Sequence, residues 1–190
     1  MKKPLFLYRL IGMFHNVGAD WDKLAPSEET AIDFAHENIN PEPERFQENR
    51  HYSLEYCLAH SGETINERYR SNRADEIDLK IADMVATHTT KCPLVLYRGV
   101  CEAIFEQMQE NAQNMKGVDL YEKSFLQTSL LKGHESNSQY HLRIYVPAGT
   151  QAVYLGNVND EQFYYEVDIQ HGSKLKIVSM DDKYINCILL

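Results

Sequence analysis

Residues 163–173 read Phe-Tyr-Tyr-Glu-Val-Asp-Ile-Gln-His-Gly-Ser, and this stretch decides how the rest of the chain is interpreted. Its aromatic and β-branched residues, the lack of Pro and the Gly near its end predict a β-strand over 163–169 that leads into a turn. Side chains alternate along a strand, so Tyr164, Glu166 and Asp168 are expected to share the face opposite the apolar residues. The carboxylate of Glu166 is then either solvated on a half-exposed strand or positioned as an acid in a cleft.

Composition places the chain among ordinary globular proteins. Its 190 residues are 43% hydrophobic and 25% charged, which predicts a single domain over residues 1–190 with a substantial core. The net charge of −9 argues against a protein that holds duplex nucleic acid by neutralising many phosphates, although it does not exclude a local basic groove. The four cysteines form no CxxC pair, so neither a zinc knuckle nor a disulfide framework is indicated.

The hydrophobic period of the sequence changes near residue 93. Before it, apolar residues at helical spacing predict helices after Pro26, over about 44–60, after a break at Ser61-Gly62, and from Asp75 to about Thr87. A mainly helical segment 1–92 followed by a mainly strand segment 93–190 predicts an α+β fold. The expected strands cover 93–100, 124–130, 141–146, 152–155, 163–169, 174–178 and 184–189, with a helix over about 101–113.

The N-terminal residues 1–14 contain an apolar run that looks like the start of a signal peptide. Arg9 interrupts the run and no small-residue cleavage site follows, so we interpret it as a short buried strand or helix. No stretch of the sequence approaches the roughly 20 apolar residues of a membrane span. These observations predict a cytoplasmic protein, of the producing or a target cell, without a signal peptide, a transmembrane segment or a membrane partner.

Two other predicted strands carry polar residues among apolar ones. Arg98 and Gly99 lie near the end of the strand over 93–100, where the arginine charge needs a partner. The planar fork of arginine suits a phosphate or a carboxylate, and the glycine lets a ligand approach the backbone. The strand over 124–130 holds the polar triplet Gln127-Thr128-Ser129, whose groups can hydrogen-bond a carboxylate or a ligand. Each pattern alone also has an ordinary explanation. Arg98 could pair with an acidic side chain at the end of its strand, and threonine and serine are common in strands.

Five motifs occur in a fixed order over residues 50–190, and together they carry a family resemblance. They are Ser-Gly-Glu-Thr-Ile-Asn-Glu-Arg at 61–68, Leu-Tyr-Arg-Gly at 96–99, Phe-Leu-Gln-Thr-Ser-Leu at 125–130, Leu-Arg-Ile-Tyr-Val-Pro-Ala-Gly-Thr at 142–150, and Glu166 six residues before Gly172. In this order the motifs resemble those of the mono-ADP-ribosyltransferases of the Arg-Ser-Glu class. That family includes bacterial binary toxins, C3-like exoenzymes and phage ADP-ribosyltransferases.

The resemblance implies a fold, a substrate and a binding site. The fold would be that of ADP-ribosyltransferases, with N-terminal helices packed on a core of two mixed sheets and a cleft for NAD. Arg98 would hold a phosphate of NAD, and backbone groups near Gly99 would contact the nicotinamide amide. Tyr97, Gln127 and Thr128 would complete the NAD-binding residues.

The resemblance also implies a chemical mechanism. Glu166 would be the catalytic acid that bonds the 2′-hydroxyl of the ribose and stabilises the cation that forms as nicotinamide leaves. Thr128 and Ser129 would orient Glu166 or line the pocket, and Ser129 is counted among the catalytic residues. The acceptor would then attack the anomeric carbon from the opposite face.

The sequence departs from the family pattern at two positions. Gln127 replaces the first Ser of the family's Ser-Thr-Ser triplet, and it is longer but still able to donate and accept a hydrogen bond. Tyr164 stands two residues before Glu166, about 6.6 Å along a strand, where relatives that modify arginine have a second Glu. We therefore predict that Tyr164 contacts the acceptor as a third catalytic residue and that the acceptor is not an arginine side chain. Glu161, on the preceding loop, is the one substitute for the second carboxylate, and we do not favour it.

Several alternatives stay open at this point. The basic cluster over residues 68–73 (Arg-Tyr-Arg-Ser-Asn-Arg) is interpreted as a solvated helix end, but with Tyr164 it could bind single-stranded RNA or DNA as the acceptor. The chain could also be an NAD glycohydrolase, with water in place of the acceptor, or a non-catalytic binding module. The predicted partners are NAD, a protein or nucleic-acid acceptor and, for a toxin, a neutralising protein. The histidines show no HxxxH or HExxH spacing, so we predict no metal.

Overall fold

The computed structural model describes residues 4–39, 53–156 and 164–190, and it has the α+β fold that the sequence predicts. The helices are α1 (Leu5–Phe14), α2 (Gly18–Trp21), α3 (Ala31–Asn38), α4 (Leu54–Arg70), α5 (Glu76–Ala86) and α6 (Glu102–Asn111), with 3₁₀ turns at Asp22–Leu24 and Glu28–Thr30. The strands are β1 (Leu94–Val100), β2 (Leu120–Glu122), β3 (Leu126–Ser129), β4 (Tyr140–Val146), β5 (Ala152–Gly156), β6 (Glu166–Ile169), β7 (Ser173–Met180) and β8 (Tyr184–Leu189). That residues 1–190 form one domain stays a prediction.

The eight strands of the described chain join in one sheet, in the order β2-β7-β8-β4-β1-β3-β6-β5. Neighbouring strands are antiparallel, except that β4 and β8 run parallel. The sequence predicted two mixed sheets, and the difference lies between β1 and β3. A single register pair, Tyr97 with Ser129, joins a five-stranded half of the sheet to a three-stranded half. The strands that carry the predicted site, β1, β3 and β6, are therefore consecutive in the sheet.

Apolar side chains pack on both faces of the three-stranded half. Along β5, Val153 and Leu155 belong to a cluster with residues of α4 and α5, whereas Ala152 and Tyr154 belong to the main cluster with α1, α3 and α6. This alternation is the period of two that a strand buried on both faces shows. Helices α4 and α5 thus cover one face of this half of the sheet.

Helix α4 runs without interruption through Gly62, where the sequence predicted a break. Ser53 caps its start, because the hydroxyl accepts a hydrogen bond from the Tyr56 backbone N–H at 3.0 Å. Gly62 is buried in the middle of the helix, and a Cβ atom there would lie 2.4 Å from Nε2 of Gln127. The glycine therefore makes room for the Gln127 side chain and does not end a helix. The predicted helix start near residue 44 lies outside the described residues.

The N-terminal apolar run was interpreted as a short buried strand or helix, and it forms the helix α1. Tyr8 is buried and its hydroxyl donates to Oδ1 of Asp119 at 3.3 Å, whereas Phe6, Met13 and Phe14 are exposed. Throughout the three described ranges, no helix combines the length and the apolar character that crossing a membrane requires.

Candidate active site

A cleft of about 480 Å³ lies between α4 and the strands β1, β3 and β6. Ligand-binding sites commonly have volumes of roughly 300–1,000 Å³. The cleft brings together every residue that the sequence predicts for the site, although some contribute only their backbone. These residues are Tyr97, Arg98, Gly99, Gln127, Thr128, Ser129, Tyr164 and Glu166.

Arg98 is nearly buried and paired with a carboxylate that the sequence did not identify. Its Nη2 donates to Oε2 of Glu122 at 3.1 Å, and Arg70 of α4 donates to both oxygens of the same carboxylate at 3.1 and 2.9 Å. Nη1 of Arg98 also donates to the Gln127 carbonyl oxygen at 3.4 Å. We call Arg98, Glu122 and Arg70 the arginine cluster. Its two cations and one anion leave a net positive charge, which Arg98 presents to the cleft.

The pKa shifts in the arginine cluster follow from burial and from these ion pairs. Burial lowers the pKa of Arg98, and the attraction of Glu122 opposes this effect. Burial alone would raise the pKa of Glu122, but the two guanidinium groups outweigh it and hold that pKa below its usual value. Both partners therefore remain charged at neutral pH.

Glu166 is held by two amide side chains in series. Nε2 of Gln127 donates to Oε1 of Glu166 at 3.2 Å, and Oε1 of Gln127 accepts from Nδ2 of Asn66 at 2.9 Å. Oδ1 of Asn66 accepts from the Phe125 backbone N–H at 3.1 Å, which sets the orientation of both amides. Burial raises the pKa of Glu166 to about 7, and hydrogen bonds from Asp168 and Gln127 act in the opposite direction. The carboxyl group is thus fixed in position and titrates near neutrality.

The two hydroxyls beside Glu166 bond to the backbone and not to its carboxylate. Oγ1 of Thr128 donates to the Val167 carbonyl at 2.6 Å, and Oγ of Ser129 donates to the Leu131 carbonyl at 2.8 Å. Ser129 lies directly opposite Glu166 in the pairing of β3 with β6. The resemblance implied that Thr128 and Ser129 either orient Glu166 or line the pocket, and their position corresponds to lining it. The side chain that donates a hydrogen bond to Glu166 is Gln127.

Tyr97 and Gly99 both line the cleft, as predicted, and each also has a contact within the fold. The Tyr97 side chain is fully buried and donates its hydroxyl hydrogen bond to Oδ1 of Asp22 at 2.7 Å, so it offers the cleft only its backbone. At Gly99, a Cβ atom would lie 1.8 Å from the carbonyl oxygen of Ser136. The loop after β3 therefore packs so closely against residue 99 that only glycine fits there. The sequence predicted that this glycine would instead make room for a ligand.

Tyr164 lines the cleft with Glu166, but it does not belong to the strand. Strand β6 begins at Glu166, and Tyr165 has φ +47°, a left-handed conformation that is uncommon for a bulky residue. The strand spacing of about 6.6 Å therefore does not apply between Tyr164 and Glu166. The predicted alternation holds from Tyr165 onward, because Tyr165 shares the main apolar cluster with the rest of its face. Glu161 lies outside the described residues.

The basic cluster over residues 68–73 is largely occupied by internal contacts. Arg68 donates from Nε to Oδ2 of the buried Asp78 at 2.7 Å, and Arg70 is part of the arginine cluster. Tyr69 is 9% exposed and packs against Phe125. The interpretation as a solvated helix end is therefore wrong for these three residues, which join α4 to α5 and to β2. They also do not form an open stripe for nucleic acid.

Three functional candidates escaped the sequence analysis. Asn66, Glu122 and Asp168 are all buried polar side chains near the cleft. The spacing of Asn66 from Gly62 on one helix face was available as a signal. Glu122 lies on β2, a three-residue strand too short for its pattern to be recognised. Asp168 was placed on the correct face but was not given a role.

Solved structures with the same fold include bacterial toxins. Plx2a, an ADP-ribosyltransferase toxin from Paenibacillus larvae, has a TM-score of 0.64 at 16% identity, over 85% of this chain and 96% of that one. C3stau2 from S. aureus, solved with NAD, has a TM-score of 0.60 at 16% identity, over 86% and 96% of the two chains. BECa of a binary enterotoxin of C. perfringens, solved with NADH, has a TM-score of 0.59 at 17% identity, over 85% and 48%. At these identities the likeness establishes the fold.

The family is established by a sequence comparison of a different kind. No curated protein gives a significant match to the chain. The family model described as ADP-ribosyltransferase exoenzyme matches residues 34–186, which span α3 to β8 and include every residue described above for the cleft. The chain therefore belongs to the ADP-ribosyltransferase exoenzyme family and is an NAD-dependent ADP-ribosyltransferase.

Proposed function

We propose that this protein is a toxin-like mono-ADP-ribosyltransferase of the Arg-Ser-Glu class that transfers ADP-ribose from NAD to a macromolecule inside a cell. The observation that carries the proposal is the pairing of two groups in one cleft. Arg98 supplies a buried positive charge, and Glu166 supplies a carboxyl group that Gln127 holds in place. In this chain Gln127 takes the orienting role that the class assigns to a serine.

NAD would bind with its pyrophosphate at the arginine cluster. Arg98 uses part of its N–H groups on Glu122 and Gln127, and the remaining ones can turn to a phosphate oxygen. Because the cluster carries a net positive charge, adding an anion does not leave a buried charge without a partner. The proposal is supported by similar folds that were solved with NAD and NADH.

Glu166 would act on the ribose that carries nicotinamide. The bond from the anomeric carbon to the nicotinamide nitrogen breaks, the electron pair leaves with nicotinamide, and a positive charge develops on the ribose. The ionised Glu166 stabilises that charge and accepts a hydrogen bond from the 2′-hydroxyl. The acceptor then forms a bond to the anomeric carbon and releases its proton to solvent. Since Glu166 must be ionised, its pKa near 7 predicts a rate that rises through neutral pH.

The acceptor would not be an arginine side chain. Tyr164 stands where relatives that modify arginine carry a second Glu, and Asp168, the other carboxyl group on β6, is fully buried and cannot reach an acceptor. A nucleic-acid acceptor is the weaker candidate, because Arg68 and Arg70 are committed to Asp78 and Glu122. A protein acceptor, a cytoplasmic site of action and a neutralising partner for such a toxin remain expectations.

The test is to incubate the protein with NAD labelled in its adenylate part and with a total cell lysate. Label should appear in protease-sensitive material, and Glu166→Gln should give the background level. Nuclease-sensitive label would replace the protein acceptor with nucleic acid. Free ADP-ribose alone would identify a glycohydrolase, and no consumption of NAD would contradict the proposal. The labelled molecule, once isolated, identifies the acceptor.

A further inference from the structure

Asp168 follows Glu166 by two residues on β6, and its side chain has no solvent exposure. Its Cα partners in the sheet are Gln127 on β3 and Val153 on β5. Paired residues of antiparallel strands point to the same face, so Asp168 lies between the amide that holds Glu166 and an apolar cluster that contains Val153. An ionised carboxylate in this position would be very costly without a partner.

The hydrogen bonding of Asp168 indicates its protonation state. No donor of the described residues reaches either of its oxygens. Glu166 stands two residues before Asp168 on β6 and on the same face, so the two carboxyl groups are neighbours, and their interaction raises the pKa of Asp168. Two ionised carboxylates repel each other and have no proton to share, so the contact requires that one of them be neutral. The neutral one is Asp168, because it is fully buried while Glu166 is partly exposed to the cleft.

Charged groups around this pair come from three other elements. Arg98 on β1 attracts the Asp168 carboxyl group and lowers its pKa, but burial and the neighbouring Glu166 raise that pKa well above its usual range. Arg98 is itself paired with Glu122 on β2, and Arg70 on α4 shares that carboxylate. The other titratable side chains that line the cleft are His60, Glu63, Glu135 and Tyr164.

We propose that Asp168 is a positioning residue, which remains a neutral carboxylic acid and donates a hydrogen bond to the Glu166 carboxylate. The inference rests on the proposed function, in which Glu166 stabilises the ribosyl cation. Gln127 and Asp168 then give Glu166 two donors, which fix its orientation and favour its ionised form. Both donors are uncharged. A lysine or arginine in the same place would add a positive charge that competes with the cation of the reaction.

Two substitutions test whether the hydrogen-bond donor at position 168 is what matters. Asp168→Asn keeps an N–H donor of similar shape, so kcat should stay within about threefold of wild type. Asp168→Leu removes the donor, so kcat should fall by about 10-fold or more while KM for NAD is unchanged. The acidic limb of its kcat–pH profile should move to higher pH, because Glu166 loses a hydrogen bond to its charged form.

A merely structural role gives a different pattern. It predicts that Asp168→Leu loses stability and activity together. Our proposal predicts that the fall in activity of the leucine variant is not matched by a fall in its urea midpoint, because the lost hydrogen bond to Glu166 is offset by removal of a buried carboxyl group whose oxygens accept no hydrogen bond. An unshifted pH profile in Asp168→Leu, or an asparagine variant as impaired as the leucine variant, would overturn the proposal.

A direct measurement needs no variant that might fail to fold. At about pH 8, where ordinary carboxyl groups are ionised, the infrared spectrum of the wild-type protein should retain the C=O band of a neutral carboxylic acid. The band should be lost in Asp168→Asn and retained in Glu166→Gln, and its absence from wild type would overturn the inference. Glu166→Gln also separates the two proposals. Wild-type turnover in that variant contradicts the proposed function, whereas low turnover with an unaffected Asp168→Leu contradicts only the role of Asp168.

Discussion

Arg98 and Glu166 line one cleft, but the arginine cluster and the acid pair of Glu166 and Asp168, to which they belong, handle buried charge in opposite ways. In the arginine cluster, the single carboxylate of Glu122 accepts hydrogen bonds from both guanidinium groups, so each cation lies beside an anion although the cluster keeps a net positive charge. In the acid pair, two neighbouring carboxyl groups are buried, and the side-chain hydrogen bond that Glu166 accepts at 3.2 Å comes from the neutral amide of Gln127.

The difference corresponds to two tasks. A site for a permanent anion such as pyrophosphate needs a cation that is already ionised and fixed, and the arginine cluster provides it. A site for a cation that exists only during the reaction needs an anion without a permanent cationic partner, and the acid pair provides that. The pKa values of the two glutamates differ accordingly, since that of Glu122 is lowered by the guanidinium groups and that of Glu166 is raised by burial.

The largest effect on stability should come from breaking the arginine cluster. In Glu122→Gln, the buried guanidinium group of Arg98 and the half-buried one of Arg70 lose their counter-charge, so the free energy of unfolding should fall by about 3–5 kcal/mol. Urea denaturation followed by circular dichroism measures the change. The matched control is Glu76→Gln, which breaks an exposed ion pair with Lys80 and should cost less than about 0.5 kcal/mol. Similar losses in the two variants would show that Glu122 is not the counter-charge we describe.

A smaller effect is expected when the charge is kept and the geometry is changed. Arg98→Lys leaves a cation beside Glu122 but removes the planar fork, so the Kd for NAD should rise by about 10-fold or more. Calorimetric titration with NAD gives the Kd. Arg68→Lys is the control, because its fork lies on Asp78, away from the cleft, and its Kd should equal that of wild type. An unchanged Kd in Arg98→Lys would remove Arg98 from the NAD site.

The acid pair can be disturbed from α4 without changing either acid. In Gly62→Ala, the new methyl group would lie 2.4 Å from Nε2 of Gln127, so the amide must move and its bond to Glu166 is lost. We expect kcat to fall by about 10-fold with little loss of stability, because alanine favours the helix. Ser61→Ala, on the same helix and also lining the cleft, should change kcat by less than about twofold.

A second background makes this experiment specific. With Gln127→Ser, the shorter side chain no longer reaches Gly62, so adding Gly62→Ala should have no further effect on kcat. If Gly62→Ala is equally harmful in both backgrounds, it acts through something other than the Gln127 amide.

The smallest expected effect is a pH dependence of stability with opposite signs for the two regions. The folded-state pKa of Glu166 is raised from 4.5 to about 7, so the folded protein holds the extra proton and stability falls as pH rises through that window. The pKa of Glu122 is lowered, so its stabilisation is present above pH 4.5 and is lost as pH falls below it. Urea midpoints from acid to neutral pH should show both slopes, and Glu166→Gln should reduce the upper one. An upper slope that is the same in that variant would contradict the raised pKa.

The sequence was sufficient to place three residues of the candidate site on strands that meet at the cleft. Arg98, Gln127 and Glu166 sit in runs long enough for their hydrophobic pattern to be recognised, and the order of these runs carried the family resemblance. The α+β class followed from the change of period near residue 93. These features depend on local patterns that the chain itself displays.

The rest of the site depends on contacts between distant segments. Gly62 looked like a helix end because its partner, Gln127, is 65 positions away and no local pattern shows that approach. Glu122 lies on a strand of three residues, and its role appears only when β2 and α4 meet around Arg98. The left-handed Tyr165 also has no signature in the sequence, since glycine and asparagine are the residues that usually indicate that conformation.

The central claim is that Glu166 stabilises the ribosyl cation and does not serve mainly to bind NAD or to hold the fold. It is tested most directly by measuring kcat and the Kd for NAD in Glu166→Gln, which keeps the size of the side chain and its place beside Gln127. The account predicts a fall in kcat of about 10²–10⁴-fold, with the Kd for NAD and the urea midpoint at neutral pH not worse than those of wild type. A variant that keeps the wild-type kcat, or that loses activity only because it no longer binds NAD, would contradict it.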